Sequence, residues 1–192
     1  MLQIDLNIIL GSKSPRRVEL LKGLDIDFSS RVVETDEVYP SDLSPIDVPS
    51  YLALEKANAQ EDLLQEDELL ITADTIVLVE GIILEKPKSK EEAIQMIRAL
   101  SGRTHTVITG VCLKTKSDTY TFSDETNVTF IDLLDTEIDY YISKYKPYDK
   151  AGSYGVQEWI GYIGIEKMEG SYYNVMGLPV QKLYAELKRF SQ

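Results

Sequence analysis

Four groups of residues have types and spacings that could do chemistry. In the first, Gly11-Ser12-Lys13-Ser14-Pro15-Arg16-Arg17 stands where an apolar run, Ile4 to Leu10, gives way to a helical pattern. Backbone N–H groups at a helix start are unpaired and partly positive, and they stabilise an anion by about 0.3–1 kcal/mol. Ser12 and Ser14 add hydroxyl donors. Arg16 and Arg17 oppose the dipole of the helix they open, which makes sense if a phosphate lies between them and those N–H groups. A plain surface helix fits the same residues, and the Gly-x-x-x-x-Gly-Lys-Ser/Thr spacing of a P-loop is absent.

The second group is Asp74 with Thr75, inside an otherwise apolar strand. A carboxylate there is costly unless it is paired, bound to a metal or turned to a cleft, although a β-bulge or a hydrogen-bonded buried Asp would also explain it. Glu34, Asp36 and Glu37 add further acids from a loop. Carboxylates without His or Cys suit a hard cation, Mg²⁺ or Mn²⁺, over zinc. His105 is the one histidine, so a zinc site could draw on it for only a single ligand; its place in the alternating run Thr104–Val107 suggests a structural, hydrogen-bonding role.

Third come three separated lysines: Lys56 on a helix face, Lys86 before Pro87, and Lys150 after Asp149. Lysines usually point to solvent, but several point charges could also clamp a phosphate chain. The fourth group is glycine-rich. It runs from Lys150 to Gln157 and from Gly170 to Pro179, where close backbone approach is possible and Gln157 offers a donor and an acceptor to a base edge. Tight strand connections would explain these glycines equally well.

The elements that must position these residues can be read from periodicity. Strands are expected at Ile4–Leu10, Phe28–Val33, Leu69–Val79 (interrupted by Thr72-Ala73-Asp74-Thr75) and Ile82–Leu84, with a hairpin of Thr104–Lys114 and Thr119–Phe130 about Ser117-Asp118. Helices are expected after Ser14, from about Ser50 to Gln65, and from a Ser89/Glu92 capping box to Leu100 with Gly102 as its C-cap. Two more are expected at Leu133–Tyr145 with Asp135 as cap, and at Val180–Phe190. Glu34 to Pro49 reads as a long loop, and Asp149–Gly177 as short strands and loops. Alternating strands and helices with hairpins predict an α/β fold with a mixed sheet.

Composition sets the outer bounds. The 192 residues are 43% hydrophobic and 27% charged, enough for a packed core and consistent with one domain over 1–192. A net charge of −12 makes nucleic acid and anionic membranes poor partners. No apolar run approaches the roughly 18 residues of a membrane helix, and no basic-plus-apolar leader is evident. The single cysteine, Cys112, fits a reducing cytoplasm.

Taken in order, these segments resemble the Maf family, the septum-formation-inhibitor-like nucleotide pyrophosphatases. The resemblance runs from Ser12-Lys13-Ser14-Pro15-Arg16-Arg17 and Glu19-Leu20-Leu21 through Asp36-Glu37, Lys56-Ala57, Ala73-Asp74-Thr75 and Lys86-Pro87. It continues through Leu100-Ser101-Gly102-Arg103 with His105, Asp149 to Gly155, and the Tyr173–Pro179 block. It implies an elongated mixed sheet with flanking helices and two lobes around a cleft, as in the inosine triphosphate pyrophosphatases. It further implies hydrolysis of a nucleoside triphosphate between the α- and β-phosphates, with a divalent cation, Mg²⁺ or Mn²⁺.

By the same resemblance Asp74 matches the proton acceptor, and Glu37, with Asp36 adjacent, joins Asp74 in supporting the metal. Ser12, Ser14, Arg17, Lys56, Lys86 and Lys150 would meet the phosphates. Arg16, Thr75 and Gln157 match the branch that prefers dTTP and UTP, where a 7-methyl-GTP branch would show Tyr, Gln and Glu. Two positions depart from the pattern: Gly11 stands in place of an alanine, and Thr72 in place of a glycine or small apolar residue. Housecleaning of modified pyrimidine nucleotides is the runner-up within the enzyme class, and a nucleotide-binding regulator of cell division is the rival outside it. A homodimer is compatible with the sequence.

Overall fold

The computed structural model describes residues 4–190. In chain order the elements are β1 (Asn7–Leu10), α1 (Pro15–Lys22), β2 (Ser29–Ser30), α2 (Val48–Asn58), β3 (Glu68–Val79), β4 (Ile82–Leu84) and α3 (Lys90–Leu100). They continue with β5 (Thr104–Lys114), β6 (Thr119–Phe130), α4 (Asp135–Tyr145), α5 (Trp159–Gly164), β7 (Ile165–Glu169), α6 (Tyr172–Met176) and α7 (Val180–Leu187). The strands form one mixed seven-stranded sheet in the order β2-β1-β3-β5-β6-β7, with β4 paired on β3. β1 is parallel to β2 and to β3, in register Leu10 with Ser30 and with Ile71, whereas β4 and β7 are antiparallel to β3 and β6. The α/β class and mixed sheet expected from the hairpins are both present.

Several boundaries differ from the sequence expectation. α2 starts at Val48, with Pro49 in its first turn, where a missing N–H goes unnoticed; it ends at Asn58, and Glu61–Leu63 is a separate 3-10 turn. β3 runs unbroken through Thr72-Ala73-Asp74-Thr75, with β5 beside it on one edge; on the other edge its pairing with β1 ends at Ile71 and its pairing with β4 starts at Val77. β2 is only two residues long. Ser89 does cap α3 by accepting from the Glu92 N–H, but the Glu92 carboxylate turns to the Lys88 N–H, so the reciprocal half of the box is missing. Ser101 is the C-cap of α3, ahead of Gly102. Leu134, not Asp135, caps α4, and the Glu137 carboxylate accepts its N–H at 2.8 Å. The stretch Asp149–Gly177 contains two helices and a strand in place of strands and loops alone.

The chain divides into two compact units. The first comprises Met1–Asp74, Thr109–Asp124 and Gly177–Gln192, and the second comprises Thr75–Ile108 and Glu125–Met176. In the first, Ile9, Ala53, Ala57, Leu64, Leu70 and Cys112 pack as a buried cluster. Gly110 on β5 is in direct contact with the start of α2: a β-carbon there would lie 2.3 Å from Pro49 C and Ser50 N. Strand and helix therefore meet backbone to backbone. In the second unit, His105, Phe130 and Tyr154 form an edge-on aromatic trio with ring centres 5.0–5.4 Å apart. Asn174 is fully buried and donates to Val107 O (3.0 Å) and Thr126 Oγ1 (2.9 Å), tying α6 to β5 and β6.

Candidate active site

In the first unit, β1 ends at Leu10 and the chain turns through Gly11 to Ser14, whose hydroxyl accepts from the Arg17 N–H and caps α1. Ser12 is buried, and its hydroxyl takes the Ser14 N–H at 3.2 Å, so both serines first satisfy the turn itself. Arg17 reaches inward. Its Nε donates to Gly177 O at 2.8 Å, and one terminal nitrogen donates to Ala73 O at 2.8 Å and to Ser12 Oγ at 3.3 Å. Burial pulls this guanidinium below its ordinary value, and the negative charges of Asp74 and Glu37 oppose that shift. Arg16 is half-buried beside it. Lys13 pairs with Glu34 and holds that carboxyl below the usual carboxylate range.

The two departures noted in the sequence, Gly11 and Thr72, touch one another. A β-carbon on Gly11 would lie 2.8 Å from Thr72 Cγ2 and 2.7 Å from Gln60 Nε2. Thr72 in turn donates its hydroxyl to Ala53 O at 2.6 Å. An alanine methyl at position 11 would therefore press on the side chains of Gln60, Thr72 and Leu70.

At the end of the first unit's share of β3 lies Asp74, 6% exposed. Its Oδ1 accepts from Lys56 Nζ at 2.5 Å, and the same ammonium reaches Glu37 Oε1 at 2.9 Å. A buried carboxylate needs such a partner. Thus α2 supplies the cation, β3 the buried acid and the long loop the second acid. Asp36 is exposed. Asp74, Glu37, Lys56 and Arg17 carry two negative and two positive charges, a local balance of zero in a chain of −12.

The second unit holds Thr75, Lys86, Lys150 and Gln157. Lys86 is exposed and Thr75 half-buried on β3. Lys150 is 8% exposed and is bound to Asp149 Oδ1 at 2.8 Å and Glu158 Oε1 at 3.1 Å. The hydroxyl of Tyr141 donates to Glu158 Oε2 and accepts the Gly155 N–H at 3.0 Å. Gln157 Oε1 is buried without a hydrogen-bond partner in the protein. Neither Tyr141 nor Glu158 was among the residues the sequence pointed to. Tyr141 reads as one apolar position of a helix, and Glu158 as a surface acid at another helix's start.

His105 bonds through Nε2 to the Tyr154 hydroxyl at 2.8 Å and is 2% exposed, so the structural role expected of it holds. Burial depresses its imidazole to about 4. Among the described residues, no three His, Cys, Asp or Glu side chains gather as a metal site, and no helix is long and apolar enough to cross a membrane.

A family model described as Maf-like protein matches residues 7–190. The chain is 57% identical over 188 residues to a Porphyromonas gingivalis protein named dTTP/UTP pyrophosphatase, covering 96% of this chain and 94% of that one. It is 57% identical to a Parabacteroides distasonis protein of the same name, covering 95% of each. Among solved structures it is similar to the Staphylococcus aureus Ham1 protein at 14% identity and a TM-score of 0.48, over 66% of this chain and 72% of that one.

Proposed function

We propose a function from one premise: this chain belongs to the Maf-like protein family. It hydrolyses nucleoside triphosphates, preferring dTTP and UTP, to the monophosphate and pyrophosphate. The 57% identity over nearly the full length to relatives named dTTP/UTP pyrophosphatase carries this reading, and the pairing of Lys56 with both Asp74 and Glu37 suggests how the chain does it. The residues 1–192 act as one catalytic chain.

Asp74 is the general base. Lys56 holds Oδ1, and the second carboxylate oxygen takes the proton of a water aimed at the α-phosphorus. The new bond joins the water oxygen to that phosphorus. The bond to the bridging oxygen breaks, and its electron pair leaves with the pyrophosphate. Ser12, Ser14, Arg17, Lys56, Lys86 and Lys150 face the phosphates, where fixed cations and N–H groups offset the charge that develops on departure. Nε and one terminal nitrogen of Arg17 are held by Gly177 O and Ala73 O, which fixes where its charge stands.

Arg16, Thr75 and Gln157 set the base. The buried acceptor Gln157 Oε1 suits the N3–H of uracil or thymine, and the amide nitrogen suits an adjacent carbonyl. Asp74 and Glu37 both reach the Lys56 ammonium and so bring two carboxylates close together. That donor set fits Mg²⁺ or Mn²⁺, which uses one or two carboxylates plus substrate oxygens. When bound, the ion would polarise the phosphoryl oxygens and neutralise charge on the leaving group. The chain works in the cytoplasm.

The test is pyrophosphate release from a panel of triphosphates with and without Mg²⁺ or Mn²⁺. Turnover of UTP and dTTP is expected, and its absence from every pyrimidine triphosphate with metal present would end the proposal. Modified pyrimidine nucleotides in the same panel separate housecleaning from turnover of the normal nucleotides. Asp74→Asn should keep the fold and lower kcat by about 10²–10⁴-fold, the range for losing a general base; full activity would remove Asp74 from that role.

A further inference from the structure

The segment from Lys150 to Glu158 is closed on itself by one acid. Glu158 Oε1 takes the Lys150 ammonium at 3.1 Å, so the carboxylate grips the start of the segment. Glu158 Oε2 takes the Tyr141 hydroxyl, and that hydroxyl accepts the Gly155 N–H at 3.0 Å, which grips its middle. The Glu158 N–H donates to Gly155 O at 2.9 Å, closing a turn with Gln157 at its third position. Gln157 therefore sits in a turn tied twice, once through the backbone and once through Tyr141.

Two further observations show that the arrangement is built for this acid. Glu158 occupies the N-cap of α5, yet its side chain makes no cap bond. Ser, Asp or Asn would serve that position better, and the longer glutamate reaches inward instead. Gly155 leaves the room it needs: a β-carbon there would lie 2.9 Å from Glu158 Cδ and 3.0 Å from Oε2. The backbone of Gly155 is not in the left-handed region, so the carboxylate and not the main chain requires the glycine. Tyr141 is fully buried, and burial together with Glu158 pushes its phenol upward, keeping it a proton donor.

We infer that Glu158 is a positioning residue, which through Lys150, Tyr141 and Gly155 fixes where Gln157 presents its amide to a pyrimidine base and where Lys150 presents its ammonium. This rests on the function proposed above. The side chain itself touches no reacting atom. Its loss is read as a change of binding and of base preference.

The experiment measures kcat and KM for UTP and GTP on the native chain, Glu158→Ala, Glu158→Gln, Gly155→Ala and the double variant Gly155→Ala/Glu158→Ala, with thermal melts confirming the fold. Glu158→Ala should raise KM for UTP about ten-fold and lower the UTP-over-GTP preference several-fold. Glu158→Gln keeps an acceptor for Tyr141 and should recover part of that loss. Gly155→Ala displaces the carboxylate and should match Glu158→Ala. In the double variant the two losses should not multiply, because one route is already broken.

Multiplying losses, or a UTP-over-GTP preference unchanged in Glu158→Ala, would overturn the inference. The same comparisons are made as binding constants for the α,β-methylene analogues of UTP and GTP. A native chain that binds without hydrolysing would fail the proposed function and still report on Glu158. A native chain that binds neither analogue overturns both.

Discussion

Replacing His105 by glutamine isolates a pH dependence that the fold imposes. The imidazole is 2% exposed, bonds through Nε2 to the Tyr154 hydroxyl and has a buried Nδ1 without a partner. Burial lowers its pKa from 6.5 to about 4. Between those values the unfolded chain holds the proton and the folded chain does not. Stability is therefore complete above pH 6.5 and drains as the pH falls toward 4. Linkage over that window gives a loss from this one group of about 2 kcal/mol at pH 5, relative to pH 7. The amide side chain of His105→Gln would not titrate. The variant should start lower at pH 7, having lost the ring contacts with Phe130 and Tyr154, yet fall less steeply. Urea unfolding of both proteins at pH 7 and pH 5 measures the difference directly. Equal losses in parent and variant would refute the assignment of His105 as a buried neutral group.

Two other substitutions probe the first unit. Lys56→Met leaves the buried Asp74 carboxylate without its cation and should reduce stability by roughly 1–3 kcal/mol along with turnover; an unchanged urea midpoint would show that the ion pair contributes nothing. Gly11→Ala forces a methyl against Thr72 and Gln60 and should destabilise by about 1–3 kcal/mol, and combining it with Thr72→Ala should cost less than the two singles together. Strict additivity in unfolding measurements would show that the two sites do not exchange space.

The sequence disclosed residue types better than partnerships. β3, β5 and β6 were legible because apolar residues persist or alternate over ten or more positions. The start of α2 was not, because Pro49 reads as a breaker although a helix tolerates it in the first turn. Asp74, Lys56 and Glu37 each stood out by type and setting. That one ammonium serves both acids follows only from folding, since the three come from a strand, a helix and a loop. Glu158 and Tyr141 were invisible for the same reason: they lie 17 positions apart and neither breaks a local pattern.

The contact of Gly110 with Pro49 and Ser50 bears on how this enzyme can change over generations. Lys56 lies about two turns further along α2, roughly 10 Å at 1.5 Å per residue. Its address is measured from a main-chain contact and not from any interchangeable side chain. A substituent at Gly110 would push the start of α2 off the strand and carry the ammonium with it. One glycine that admits no substituent thus sets where a cation far along the helix stands.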